Sequence, residues 1–520
     1  MFAPFEMRNA REKMRRNRSW LGHAYGESNT SSGAADGAAM LTIGQLAQVF
    51  IQLLGAFILA RLLEPQDFGL IAMATTVTVI ATHFSELGLA SSIIQSPRLR
   101  QSVTSALFII TGLAGVGVAL LCAIASRFVA SFFDDARLTA LVIVMACAIP
   151  FYSLSAVHRA LLTKARRWVI LQKIPLISQI IGLLSALAGV ALGVGYWALA
   201  AQFFVTGIMT CLLTWWFCSW RPNLRLFVKG ADHHFRFGVD VMTFGLLNWL
   251  HRQGDNIVIG WRWGAEILGY YSRAYSLYMI PLGIISGPLK TVCLPILSGA
   301  ADDNERWAEG ALYVIKVATL LGVIISLMVG VGAKLLILTI LGEGWEESIA
   351  IFRWLSISFI AASPLSLAGA IMMSKRHSRR LVISGFVNCS LLFLVYVFSV
   401  DFGAQYVAGA YSFAYCALLI PTIWYAVKGT SLTIGRIIAH LWPLFALAIV
   451  LQLMGFALDI ALPNRSLFEE TLYAATTSLI AAALSFSLCK FHPHYTKILT
   501  DATQASVNMV GRVFSMHKLG

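Results

Sequence analysis

Several charged residues fall within long apolar segments of the sequence, and the five that lie well away from the segment ends are the positions where chemistry is to be sought. They are Glu86, Arg252, Asp255, Arg273 and Lys316. On insertion scales a charged residue at the centre of a membrane helix costs about 2.5 to 3.5 kcal/mol, so each needs a partner of opposite charge or a solvated cavity beside it. We predict that these five side chains bind the substrate.

The positions of the five residues suggest different roles. Arg252 and Asp255 are three residues apart and lie on one face of a helix. The two residues could form a structural ion pair with each other or contribute to a ligand-binding site, and the sequence does not decide between these roles. Arg273 lies two turns inside its predicted segment with no carboxylate near it in the sequence, which indicates the wall of a solvated cavity. Lys316 and Glu86 lie well within their segments, at different depths.

The sequence contains no pattern for nucleotide hydrolysis or metal chemistry. Residues 330–334 bring Gly330 and Lys334 together, but they lack the spacing and the Ser or Thr of a P-loop. The eight cysteines include no C-x-x-C pair, and His492 and His494 have no further ligands nearby. We expect no catalytic residues, no metal, no cofactor and no enzymatic activity.

The elements that must position these residues are membrane helices. The chain has 520 residues, of which 58% are hydrophobic and 12% charged, whereas a soluble domain has about 25% charged residues. Its apolar blocks reach the roughly 20 residues needed to cross a ~30 Å hydrocarbon core. We predict an all-α integral membrane protein of about 14 transmembrane helices, over residues 38–60, 67–95, 103–126, 138–160, 169–193, 196–218, 237–260, 265–289, 308–333, 348–373, 381–400, 404–426, 437–459 and 469–488.

The basic residues fix the predicted orientation. Of the 39 Lys and Arg residues, 28 fall in alternate connecting segments that we assign to the cytoplasm, and six fall on the opposite side. This bias is typical of membrane proteins, which keep Lys and Arg inside. It accounts for the net charge of +14 without a nucleic-acid partner, and it places both termini in the cytoplasm.

The topology predicts six parts of the chain. They are a disordered basic cytoplasmic arm (1–37), an N-lobe of helices 1–6 (38–218), a cytoplasmic linker (219–236), a C-lobe of helices 7–12 (237–426), appended helices 13–14 (437–488) and a cytoplasmic tail (489–520). An internal repeat fits two six-helix lobes. Residues 60–74 and 260–274 share a loop-then-helix layout at an offset of 200, although few identities support it.

Two blocks of the sequence carry a resemblance to a known family. The first is A-R-L-L-E-P-Q-D-F-G-L at 60–70, followed by Glu86, Gly88 and Gln95; the second contains Arg252, Asp255, Asn256, Gly260, Gly269, Tyr271, Tyr275, Pro281 and Pro288. In this spacing the chain resembles the polysaccharide transporter family of the multidrug/oligosaccharidyl-lipid/polysaccharide exporter superfamily, the Wzx-like flippases. Compatible hydropathy extends from about residue 38 to the end.

The resemblance implies two six-helix lobes in a V around a central cavity that opens alternately to each side. It implies an undecaprenyl-pyrophosphate-linked oligosaccharide as substrate, moved across a bacterial inner membrane for exopolysaccharide, capsule or O-antigen synthesis. Membrane lipids are the implied partners, and a polysaccharide polymerase is a candidate partner. Asp67, Glu86, Arg252 and Asp255 match family positions, whereas Arg273 and Lys316 are inferred from charge and depth. Arginine suits such a substrate because its planar donors meet phosphate oxygens bidentately.

Two other functions remain open at this level. A cation-coupled multidrug exporter of the same superfamily would be expected to hold carboxylates deep in one lobe and an apolar pocket at Arg273. A polysaccharide polymerase or ligase would be expected to carry a large exoplasmic loop with Arg and His, whereas every predicted exoplasmic loop is short.

The predicted orientation can be tested with reporter fusions. Because of the bias of basic residues, a fusion at Ser378 should report a cytoplasmic position and a fusion at Gly344 an exoplasmic one. The reverse result at either residue would contradict the predicted helix count.

Overall fold

A computed structural model describes residues 31–86, 88–96, 99–223, 231–461 and 476. Within this part of the chain the regular structure is helical throughout. The helices are α1 Ser31–Leu59, α2 Pro65–Glu86, α3 Leu89–Gln95, α4 Gln101–Phe132, α5 Arg137–Ala146, α6 Ile149–Lys164, α7 Trp168–Ala191, α8 Trp197–Phe217, α9 Ala231–Gly299, α10 Asn304–Val331, α11 Ala333–Ile340, α12 Glu347–Ile357, α13 Phe359–Leu365, α14 Ala368–Ser374, α15 Ser378–Ser399, α16 Ala404–Val427 and α17 Ile434–Ala461, with a 3-10 turn at Val400–Phe402.

The helices confirm the prediction of an all-α, multi-pass membrane protein. In the described ranges eight helices are long and apolar enough to cross a membrane, and a ninth span exists if one bent pair counts as one. The predicted number of 14 stays a prediction, because the span at 469–488 and the tail at 489–520 lie outside the described residues. The same holds for residues 1–30 of the predicted arm, since α1 begins at Ser31.

Two predicted spans are interrupted in the structure. The span predicted at 67–95 ends at Glu86, because Gly88 takes a left-handed conformation (φ 62°) and α3 starts anew beyond it. The span predicted at 348–373 is bent by 49° between α12 and the helices that follow. Hydropathy does not reveal such breaks, since the residues on both sides are equally apolar.

Helix α9 contains the predicted spans 237–260 and 265–289 as one hairpin. Its two halves meet at Gly264, whose φ of 77° is incompatible with a continuous helix and favours glycine. A hydrogen bond from Tyr271 to Asp255 joins the halves. The turn thus brings residues before and after Gly264 to equal depths on neighbouring helices.

Helices α2 and α9 make a reciprocal backbone contact through two glycines, which we call the glycine seam. A Cβ atom added to Gly69 would lie 1.6 Å from the carbonyl oxygen of Ala265, and one added to Gly269 would lie 1.9 Å from that of Pro65. Both pairs follow the offset of 200 residues: 65 corresponds to 265 and 69 to 269. The two repeat segments therefore pack against each other through equivalent positions, which supports the internal repeat.

The chain forms two compact units. The first contains residues 1–273, 340–345 and 389–407, and the second contains 274–339, 346–388 and 408–520. In the second unit, α10 is largely buried and packs against α13 and α17. The glycine seam explains why residues 260–273 group with α2. The division into lobes at 219–236 stays a prediction, and residues 224–230 of that linker lie outside the described ranges.

The glycine seam should tolerate no side chain. We expect Gly69→Ala and Gly269→Ala to destabilise the protein, because each Cβ meets a backbone carbonyl that cannot rotate away, and overpacking of this kind typically costs about 1 to 3 kcal/mol. The measurement is thermal unfolding in detergent. Gly117→Ala in α4 is the matched control, since nothing lies within 4 Å of its added Cβ. Unfolding of both seam variants at the temperature of the control would contradict the contact.

Candidate functional site

Arg273, in the predicted span 265–289, is a cation without a polar partner in the part of the chain that the structure describes. Its guanidinium carbon lies 4.5 Å from the ring centroid of Phe68. The residue is half-buried, and its Nε is buried without a hydrogen-bond acceptor. Within the described residues the guanidinium makes no ion pair and no hydrogen bond. The planar donors of Arg273 are therefore available to an anion.

Phe68 is held beneath Arg273 by two further aromatic rings. Its ring meets that of Trp345 edge-on at 5.5 Å, and Tyr270 meets Trp345 at 5.9 Å. Trp345 is itself fixed, because its Nε1 donates a hydrogen bond of 2.9 Å to the carbonyl oxygen of Ala60. Phe68, Tyr270 and Trp345 form what we call the aromatic support. A cation over a desolvated ring can gain about 2 kcal/mol, which helps to offset the burial of this charge.

Asp255 does not pair with Arg252. Its side chain is fully buried; Oδ2 accepts from the hydroxyl of Tyr271 and Oδ1 from the backbone N–H of Asn256, both at 2.8 Å. Arg252 is exposed. The three-residue spacing puts both residues on one side of the helix, but Tyr271 across the hairpin takes the carboxylate. The described residues thus show no ion pair between Arg252 and Asp255, and the role of these two residues as a ligand site stays a prediction.

Glu86 is neutralised by a residue far away in the sequence. Its Oε1 lies 2.6 Å from Nη2 of Arg159, with side-chain exposures of 25% and 38%. Next to it, the hydroxyls of Ser85 and Ser153 share a hydrogen bond of 2.8 Å, so α2 and α6 are joined twice. Glu86 thus lies at a polar junction between two helices.

Lys316 is a buried lysine of the second unit. It belongs to α10 in the second unit and is only 5% exposed, whereas Glu86, Arg252, Asp255 and Arg273 belong to the first. In the described part of the chain no hydrogen bond or ion pair joins any two of the five. Their assignment as one substrate site stays a prediction.

The sequence analysis missed the residues that surround the charges. Arg159 was counted among the basic residues of a connecting segment, and the aromatic support was not recognised. Phe68 and Tyr271 stand within the blocks that carry the family resemblance, but nothing local in the sequence shows what they contact. Tyr271 contacts Asp255, 16 residues away, and Phe68 contacts Trp345, which lies 345−68 = 277 residues away.

Comparison with known proteins gives relatives over most of the chain. It is 23% identical over 479 residues to the teichuronic acid biosynthesis protein TuaB of Bacillus subtilis, covering 88% of this chain and 95% of that protein. It is 22% identical to the lipopolysaccharide biosynthesis protein WzxC of Escherichia coli, covering 82% and 88%.

A solved structure shows the same fold. The lipid II flippase MurJ in an inward closed conformation matches with a TM-score of 0.69 at 12% identity, covering 86% of this chain and 98% of that structure.

The family model described as polysaccharide biosynthesis protein matches residues 58–350, which include the glycine seam, the aromatic support and all five charged residues. The chain therefore belongs to the polysaccharide biosynthesis protein family.

Proposed function

We propose that this protein is a flippase that moves an undecaprenyl-pyrophosphate-linked oligosaccharide across a bacterial inner membrane by alternating access. Its product would enter exopolysaccharide, capsule or O-antigen synthesis. Two findings support this proposal: the relatives include a teichuronic acid biosynthesis protein and a lipopolysaccharide biosynthesis protein, and the chain shares its fold with a lipid II flippase. The protein acts as a transporter and catalyses no reaction.

The observation that carries the proposal is the guanidinium of Arg273, which has no ion pair among the residues that the structure describes. A charge within the membrane is costly against lipid, and its retention without a carboxylate points to an anionic ligand that supplies the missing charge. A pyrophosphate offers several oxygens to the planar donors of arginine. The aromatic support keeps the cation in place while the ligand is absent.

A lipid-linked substrate also suits a chain without hydrolytic machinery. The lipid tail can stay in the bilayer while only the pyrophosphate and sugar cross a polar cleft, so transport needs basic groups and movement. In this proposal the two predicted lobes enclose the central cavity, and Arg252, Asp255, Lys316 and Glu86 contribute to it or to its supports. Both termini are cytoplasmic, and a polysaccharide polymerase receives the product.

Loss of the gene should block the export of one polymer. We expect its lipid-linked repeat unit to accumulate on the cytoplasmic leaflet, because synthesis continues while translocation stops. Extraction of the lipid-linked sugars, with enzymatic labelling restricted to one leaflet, measures this. Accumulation on the outer leaflet instead would indicate a polymerase or ligase and contradict a flippase.

Arg273→Ala should abolish polymer export while the protein stays folded in the membrane. Hydrogen bonds to charged groups contribute about 1.5 to 3 kcal/mol, so the loss should reduce transport tenfold or more. Arg273→Lys should restore it only in part, since lysine lacks the bidentate fork. Complementation of the deletion strain measures export. Arg127→Ala, at an exposed arginine of α4, is the control; an equal loss in that variant, or full export by Arg273→Ala, would contradict the role.

A further inference from the structure

Helix α1 carries three glutamines near the centre of a predicted transmembrane span. Gln45, Gln48 and Gln52 lie within four residues of position 49, the midpoint of the span predicted at 38–60, which is about 6 Å along a helix at ~1.5 Å per residue. In the structure the part of this span from Ile43 to Leu59 is an apolar helix. A polar group that leaves water without gaining a hydrogen bond costs free energy. The three amides therefore require polar surroundings at the centre of the span.

The three glutamines lie on one side of α1, which we call the amide stripe (Gln45, Gln48 and Gln52). Spacings of three and four residues keep them within about 60° of one another around the helix, and Gln45 and Gln52 are exposed. The residues of α1 with large exposed apolar side chains centre on the opposite side, and they are Ile43, Leu46, Phe50, Leu54 and Phe57. Because the apolar side suits lipid, the amide stripe suits a solvated surface.

The amide stripe is fixed to α7 at its centre. Nε2 of Gln48 donates a hydrogen bond of 2.7 Å to Oε1 of Gln172. A Cβ atom added to Gly44 would lie 2.6 Å from Cγ of Gln172, so the glycine lets that side chain lie directly against α1. The bond leaves the carbonyl oxygen of Gln48 and the amino group of Gln172 with capacity for a further partner. Gln45 and Gln52 stand on either side of this pair, and within the described residues no hydrogen bond occupies their amides.

A row of amides matches the hydroxyl groups of a sugar. A hydroxyl both donates and accepts hydrogen bonds, and so does a primary amide, so successive glutamines can pair with successive hydroxyls. The other two parts of the proposed substrate fit the stripe less well. Phosphate oxygens form their strongest hydrogen bonds with charged donors, and a polyprenyl tail has no hydrogen-bonding group. A small number of placed polar side chains is also the usual means by which a protein orients a ligand.

We propose that the amide stripe binds the sugar of the lipid-linked oligosaccharide, with Gln45 and Gln52 as the residues that contact its hydroxyl groups. This rests on the proposed function, in which Arg273 binds the pyrophosphate of the same substrate. The sugar exchanges water for amides as it crosses the centre of the span, and Gln172 holds Gln48 in the stripe. The contribution of the sugar to affinity is therefore separate from that of the pyrophosphate.

The test compares two probes on the full-length protein in nanodiscs: undecaprenyl pyrophosphate, and the lipid-linked repeat unit extracted from the strain that lacks the gene. We expect the wild type to bind the repeat unit more tightly than undecaprenyl pyrophosphate. Gln45→Leu and Gln52→Leu should each raise the Kd of the repeat unit about three- to tenfold, the usual effect of one neutral hydrogen bond, and leave the Kd of undecaprenyl pyrophosphate unchanged. Gln405→Leu, at an exposed glutamine of α16 in the same unit, is the matched control and should change neither.

Thiol labelling tests the solvation of the stripe without any ligand. A maleimide reacts with the thiolate, which forms only where water reaches the sulfur. Gln52→Cys should therefore react with a membrane-impermeant maleimide about tenfold faster, or more, than Phe50→Cys on the apolar side, and Gln45→Cys faster than Leu46→Cys by a similar factor. Mass spectrometry of the peptide that contains the new cysteine separates it from the native cysteines. Equal rates within either pair would overturn the proposal.

Other results would also overturn the sugar site. They are an unchanged Kd of the repeat unit in either leucine variant of the stripe, a rise that affects both probes alike, and a rise of the same size in Gln405→Leu. Glutamine side chains also form hydrogen bonds between membrane helices. Conversion of a dimer into a monomer by Gln45→Leu or Gln52→Leu, measured by light scattering, would make the stripe a contact between two copies of the chain and would overturn the proposal too.

Failure of the proposed function gives a different pattern. If the wild type binds neither probe, the proposed function is wrong and the sugar site falls with it. If Arg273→Ala binds undecaprenyl pyrophosphate as the wild type does, while the variants of the stripe lose only the affinity that the sugar adds, the role of Arg273 is wrong and the sugar site stands. If the wild type binds both probes with one Kd and Arg273→Ala binds neither, only the sugar site is overturned.

Discussion

The backbone contact between α2 and α9 positions the residues of the candidate site. Gly69 and Gly269 let the two helices approach until carbonyl oxygens occupy the space of side chains. Phe68 precedes the first glycine, and Arg273 lies one turn after the second. Since the seam allows no separation of the helices, the ring and the guanidinium meet at 4.5 Å. The contact between Phe68 and Arg273 therefore depends on Gly69 and Gly269, whose lack of a side chain allows the two helices to approach this closely.

The buried charges are accommodated in three different ways. Among the residues that the structure describes, Glu86 has a full ion pair with Arg159, Asp255 has neutral hydrogen-bond donors, and Arg273 has only an aromatic ring. The first arrangement leaves no net charge, whereas the other two leave an acid and a base that are each incompletely compensated. Both of these lie on α9, each nine residues from the turn at Gly264.

The sequence predicted the elements better than their contacts. Long apolar blocks predicted the helices, and the break between residues 260 and 265 was placed correctly because Arg262 and Gly264 interrupt the block. The break at Gly88 and the bend after α12 were missed, since neither changes the hydropathy. The charged residues were found from their cost in lipid, but the partner of Glu86 lies 73 residues away and no local pattern encodes it.

The repeat is symmetric in its backbone and asymmetric in its chemistry. At the offset of 200 residues Gly69 matches Gly269, but Met73 matches Arg273 and Phe68 matches Leu268. Met73 is fully buried, and a Cβ atom added to Gly260 would contact its side chain. At this repeat position the first segment therefore has an apolar thioether side chain, whereas the second segment has the guanidinium of Arg273. The ring that supports the cation comes from the first segment. The two segments therefore supply equivalent backbone surfaces, and the differences in their side chains place a ring from the first segment beside a guanidinium from the second.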